Sequence, residues 1–161
     1  MNEMKAAPYR ITIHCTDTQN NQWVSIDKIR DDHIARGFYD IGYHFLIQPN
    51  GNVVNGRGLN FVGAHVANAN TGNIGIALAG DDRFSKSQFI ALRRLLDNLK
   101  MTYSFKDWEL HCHREFDSAI KQGKTCPNIE PSRLWTWYYL FNNAALDPYL
   151  IENDKRYTIG A

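Results

Sequence analysis

The sequence predicts an α/β domain of the α+β type, with a central mixed β-sheet flanked by helices, and three stretches carry that prediction. Tyr9-Arg10-Ile11-Thr12-Ile13-His14-Cys15 alternates polar and apolar residues, the period of a half-buried strand. Gly42-Tyr43-His44-Phe45-Leu46-Ile47 is turned by Pro49-Asn50-Gly51-Asn52 into Val53-Val54, which is a hairpin signal. Ser85-Lys86-Ser87-Gln88 has the form of a capping box, and Phe89, Leu92, Leu96, Leu99 and Tyr103 then recur at helical spacing.

The first strand places Ile11, Ile13 and Cys15 on one face and His14 on the other, at a strand end before the polar loop Thr16 to Gln22. Ser25 can cap a helix whose Ile26, Ile29 and Ile34 form an apolar layer over the sheet, and Gly37 supplies a left-handed stop. His33 falls on or near that stripe and reads as a core or boundary histidine. In the second strand, period two sets Tyr43, Phe45 and Ile47 on one face and His44 and Leu46 on the other. Tyr43 and His44 then cannot both enter one cleft unless the strand end is distorted.

Gly56 to Asn73 is a long loop rich in glycine and asparagine, feeding the buried strand Ile74 to Gly80. A loop of that length in a compact domain suits function, and asparagine amides suit sugar hydroxyls and peptide groups. On the capped helix, Arg93, Arg94 and Lys100 read as a solvated face. Trp108 to His113 reads as a short strand, and Arg133 to Phe141 as a C-terminal helix packing aromatics.

Composition narrows the function. The chain has 161 residues, 43% hydrophobic and 22% charged, enough for one domain with a sizeable core and no linker or repeat to divide it, so residues 1–161 are expected to form a single domain. A net charge of +1 and a pI near 7.8, without a basic cluster, argue against nucleic acid as partner. No apolar run suits a signal peptide or membrane span, so cytoplasmic synthesis is expected. Three cysteines do not suggest a disulfide framework; a metal thiolate or core packing are the alternatives.

The stretch His111 to Pro127, H-C-H-R-E-F-D-S-A-I-K-Q-G-K-T-C-P, gathers residue types that suit a metal. A catalytic zinc takes three protein ligands and leaves a fourth position for water. His14, a histidine of this stretch and Cys126 would fill those places. On spacing alone His111 and His113 share a strand face, and either could be the ligand.

The order I-H-C-T at 13–16, G-Y-H-F at 42–45, G-A-H at 63–65, N-I-G-I at 73–76, H-R-E at 113–115 and K-T-C-P at 124–127 resembles the type 2 N-acetylmuramoyl-L-alanine amidases, and in particular the single-domain amidase endolysins of phages. The resemblance covers roughly residues 9 to 135. It implies the fold shared with peptidoglycan recognition proteins, a Zn2+ cofactor and the ligands His14, His113 and Cys126, since the family's second histidine precedes the pair matched by Arg114-Glu115. Tyr43 and Lys124 match the family's catalytic tyrosine and lysine. His65 matches a histidine near the substrate groove, and with Asn73 is expected to bind substrate. The segment Arg114 to Gly123 looks longer than in the phage enzymes.

The implied reaction is hydrolysis of the amide between the lactyl group of N-acetylmuramic acid and L-alanine of peptidoglycan. Lys124 is expected to stabilise the oxyanion, and Tyr43 to orient water or relay a proton. The implied setting is a monomeric endolysin made in the host cytoplasm and acting after release to the periplasm. Rival readings are a wall-recycling amidase, a peptidoglycan-binding module, which the presence of Cys126 disfavours, and a regulator. A related phage amidase inhibits its phage's RNA polymerase, but nothing in Met1 to Pro8 establishes such an interface.

Overall fold

A computed structural model describes residues 1–106 and 109–140 of the chain. Among these residues five strands form one sheet: β1 (Arg10–Cys15), β2 (Phe45–Ile47), β3 (Val53–Asn55), β4 (Asn73–Leu78) and β5 (Leu110–Cys112). Their spatial order is β3-β2-β4-β1-β5. β1 lies parallel to both β4 and β5, β2 lies parallel to β4, and β3 closes the edge as the antiparallel arm of the expected hairpin. The sheet is therefore mixed, and among the described residues four helices accompany it: α1 (Ile26–Ala35), α2 (Lys86–Tyr103), α3 (Asp117–Lys121) and α4 (Pro131–Leu140).

The alternation along β1 decides what each face of the sheet becomes. Ile11, Ile13 and Cys15 join Ile74, Ile76 and Leu78 of β4 and Ile47 of β2 in the larger core. That core is closed by Phe89, Leu92, Leu96 and Leu99 of α2 and by Leu134, Trp137 and Tyr138 of α4. On the opposite face Leu46 and Ala77 meet Val24, Ile29 and Ile41 beneath α1. With both faces covered, every residue of β4 is buried, as its continuous apolar run requires.

Local chemistry fixes the helix ends. Ser85 Oγ accepts from Gln88 N at 3.1 Å while Gln88 Oε1 accepts from Ser85 N at 2.9 Å, which completes the capping box. The Gln88 amide also donates to the carbonyls of Ile47 and Ala79, tying the start of α2 to the sheet. Ser25 caps α1, and Gly37 beyond its end takes φ of +93°, a conformation costly for residues with a Cβ.

Three sequence expectations change. Ile34 is 48% exposed, because the buried face of α1 runs through Ile29 and His33, and a residue five positions after Ile29 points well away from it. Arg93 is buried rather than solvated: its guanidinium donates to the carbonyls of Trp137 and Tyr138 at 2.7 and 2.8 Å and lies over both rings. Docking of α4 creates that environment. Tyr43 packs with the cluster containing Leu46, not with Phe45 and Ile47, because regular pairing begins only at Phe45. The expected start of the fifth strand at Trp108 and the end of the last helix at Phe141 lie outside the described residues. Among the described residues no helix is long and apolar enough to cross a membrane.

Candidate active site and metal centre

The C-terminal ends of β1 and β5 deliver the two histidines. His14 is the penultimate residue of β1, and His113 follows directly on β5 as the first residue of a single 3-10 turn. The turn breaks the strand period and separates His113 from His111. His111 instead sits 3.9 Å from both Glu109 and Glu115 carboxylates and edges onto Phe116, while Cys112 is fully buried. Cys126 comes from the loop after α3, placed by Arg114 N donating to its carbonyl at 2.9 Å.

These three side chains converge. One potential ligand atom from each of His14, His113 and Cys126 lies within 4.8 Å of the other two. His14 Nδ1 is 3.8 Å from Cys126 Sγ, and the His14 and His113 rings are 4.5 Å apart. Tetrahedral zinc with bonds of about 2.0–2.3 Å needs donors separated by roughly 3.3–3.8 Å, so the cluster requires only small closure. Two imidazoles and a thiolate with no carboxylate in the set suit zinc better than calcium or magnesium.

The electrostatics favour the forms that bind metal. Burial, then the neighbouring His65 and His113, holds His14 well below its ordinary pKa. Burial and Lys124 lower His113 to about 4. Both imidazoles therefore stay neutral with lone pairs available. The Cys126 thiol is pushed down, first by a hydrogen bond from the Cys15 thiol and also by the Cys15 backbone N–H 3.1 Å away, against the opposing effect of burial.

The donors stand in a cleft of about 830 Å³ whose lining includes Tyr43, His65 and Lys124. The Tyr43 ring lies 5.1 Å from the His14 ring, and desolvation raises its pKa, so the phenol keeps its proton. His44 does not line the cleft: Gly75 N donates to its Nδ1 at 3.0 Å and its Nε2 meets the Phe61 carbonyl, also at 3.0 Å. The irregular backbone before Phe45 thus resolves the two aromatic neighbours into different environments. Lys124 is exposed at the mouth, and its backbone N–H donates to the carbonyl of Ala119 in α3 at 3.0 Å. The Arg114 to Gly123 segment is consequently an ordered turn and short helix, whose role is to carry Lys124 and Cys126.

His65 is nearly buried, with its Nδ1 2.9 Å from His14 Nε2. Asn73 is fully buried and away from the cleft surface. Its side chain accepts from the Thr12 hydroxyl at 2.9 Å and donates to the Ala69 carbonyl at 2.8 Å. Its backbone carbonyl lies behind His65, 3.0 Å from His65 Nε2. Sequence reading missed the α1 wall of the cleft, where Lys28, Asp32 and Arg36 stand one turn apart. Their i, i+4 spacing was the signal available.

Comparison with known proteins identifies the family and the fold. The family model Amidase_2, N-acetylmuramoyl-L-alanine amidase, matches residues 4–129. The chain is 34% identical over 134 residues to the endolysin of Klebsiella phage KP32, covering 78% of this chain and 84% of that protein. It superposes on the N-acetylmuramoyl-L-alanine amidase LysC from Clostridium intestinale with a TM-score of 0.70 at 27% identity, covering 84% of this chain and 91% of that one. Drosophila peptidoglycan recognition protein SD shares the fold, with a TM-score of 0.69 at 21% identity over 98% of this chain and 87% of that one.

Proposed function

The chain belongs to the N-acetylmuramoyl-L-alanine amidase family, and from that premise we propose that it is a zinc-dependent phage endolysin that cleaves the amide joining the N-acetylmuramic acid lactyl group to L-alanine in peptidoglycan. The observation that carries the reading is the convergence of His14, His113 and Cys126 within 4.8 Å in a cleft also lined by Tyr43 and Lys124. The similarity to an endolysin of a phage supports the biological role. In that role the chain is a single catalytic unit, made in the host cytoplasm, that acts as a monomer on the wall after release.

His14, His113 and Cys126 would hold the zinc. When bound, zinc supplies Lewis acidity toward the scissile carbonyl and lowers the pKa of its water to about 7. The remaining chemistry belongs to the chain. Lys124, exposed at the cleft mouth on a long flexible stem, offers three N–H donors and a positive charge to the oxygen that becomes anionic as the carbonyl is attacked. Tyr43 keeps its phenolic proton and works as a hydrogen-bond donor that orients water or passes that proton toward the departing alanine nitrogen. The partly enclosed cleft limits bulk water around these groups, which strengthens their interactions with developing charge.

Digestion of purified sacculi with and without a chelator tests the proposal. The expected products are free L-alanine amino termini, formed only when the metal is available. New reducing sugar ends would instead mark a glycosidase, and chelator-resistant release of alanine termini would remove zinc from the mechanism.

A further inference from the structure

His65 closes a directed hydrogen-bond chain that ends on the metal cluster. Its Nε2 lies 3.0 Å from the backbone carbonyl of Asn73, and a carbonyl only accepts, so Nε2 carries the proton. In the neutral ring Nδ1 is then an acceptor, and it faces His14 Nε2 at 2.9 Å. His14 must donate from Nε2, which leaves the lone pair on Nδ1, the atom 3.8 Å from Cys126 Sγ. We propose that His65 is a positioning residue that sets the tautomer and ring orientation of His14 for metal binding, with the Asn73 carbonyl as the anchor, rather than a substrate contact.

The surroundings are shaped for that ring. A Cβ on Gly75 would stand 2.7 Å from His65 Cγ and Cδ2, and one on Gly63 would stand 2.6 Å from Cδ2, so neither glycine can become alanine without moving the imidazole. Asn70 Oδ1 accepts from the backbone N–H groups of both His65 and Val66 at 2.8 Å, which fixes the chain carrying the ring. Thr12 and the Ala69 carbonyl hold the Asn73 side chain at the start of β4, and so hold the carbonyl the ring leans on. The glycine- and asparagine-rich loop thus acquires a structural reason for its composition. A neighbour of this kind orients a metal-bound histidine and raises its basicity, and its loss typically costs 10–100-fold in metal affinity.

The inference rests on the reading that these residues hold zinc, and the tests separate the two. Competition with a chromophoric chelator measures zinc affinity for wild type, His65→Leu and His65→Asn. Leucine removes the acceptor, whereas the asparagine Oδ1 can take the place of Nδ1. A loss of roughly 10–100-fold is expected for His65→Leu, with His65→Asn within a few fold of wild type. Because the defect is in loading, excess zinc should return His65→Leu to within several fold of wild-type amidase activity. Wild-type affinity in His65→Leu, or activity that stays low at saturating zinc, would overturn the proposal, the second by pointing to substrate contact. Nitrogen-15 NMR of the wild type reads the tautomers directly and stands even if the leucine variant fails to fold. Protons on Nε2 of both His14 and His65, with and without zinc, are expected, and a proton on Nδ1 of either ring would reject the chain. If wild type binds no zinc, the functional reading fails first, while the metal-free spectrum still tests the tautomers.

Discussion

Along β1, Ile11, Ile13 and Cys15 enter the apolar core while Thr12 and His14, from the same six residues, enter a face built of histidines and hydrogen bonds. β4 repeats the division: Ile74, Ile76 and Leu78 go to the larger core, Asn73 and Gly75 lie behind the site, and Ala77 joins the smaller apolar cluster beneath α1. The core face uses branched aliphatic bulk, whose contribution is non-directional and spread over many contacts. The site face uses small residues that leave room for imidazole rings, and polar atoms that each need a particular partner. On these strands the larger apolar core and the candidate site therefore lie on opposite faces, with a smaller apolar cluster beside the site.

The largest expected effect breaks the core side alone. Leu92 of α2 is fully buried in the larger core, and Leu92→Ala should lower unfolding free energy by about 2–5 kcal/mol. Urea denaturation checks the loss, and kcat/KM of the folded fraction at low temperature should stay within a few fold of wild type. A matching fall in kcat/KM would show that the two faces are coupled.

The complementary change acts on the site side. Lys124→Ala should lower kcat on the order of a hundredfold, about 3 kcal/mol in the barrier, while melting temperature and zinc content hold. Its exposure at the cleft mouth makes a folding penalty small. A variant that keeps zinc and full activity would remove Lys124 from the oxyanion role.

The smallest effect concerns what the polar face costs in acid. His33 is buried, and desolvation with help from Arg36 lowers its pKa to about 4, while Gly42 N donates to its Nδ1 at 2.8 Å. The unfolded chain takes up that proton near pH 6.5 and the folded protein does not until about pH 4. The unfolded state thus binds more protons across that window, and stability falls as pH drops through it, by roughly 1–3 kcal/mol from this group. His33→Asn keeps an acceptor for Gly42 N and cannot titrate, so its stability measured from pH 7 to 4 should decline less steeply than wild type. Equal slopes would show that His33 is solvated enough to protonate freely.

Much of this division was legible in the chain. The period of β1, the hairpin at Asn50-Gly51, the capping box at Ser85 and the aromatic α4 all follow from interactions within a few residues, and they appear where local chemistry puts them. The six motifs in order pointed to the family, and the structure brings His14, His113 and Cys126 together from 112 positions of sequence separation. The loop carrying Lys124 looked unusual in length and proved to be a short helix.

What only the tertiary structure decided concerns residues whose environment is made by distant partners. Arg93 is apolar-facing because α4 lays two carbonyls and two rings against it, and no feature of α2 alone reveals that. Tyr43 reaches the site because pairing with β4 starts at Phe45, where the strand period breaks. Asn73 and His65 stand behind His14 because two strands and a loop meet there. The sequence by itself determined the elements and many of their apolar faces, since those depend on local periodicity, and its motifs in order pointed to the family and to the candidate site residues. Only packing across the sheet decided which nitrogen faces which partner, because a hydrogen bond has a direction that is set by both of its ends.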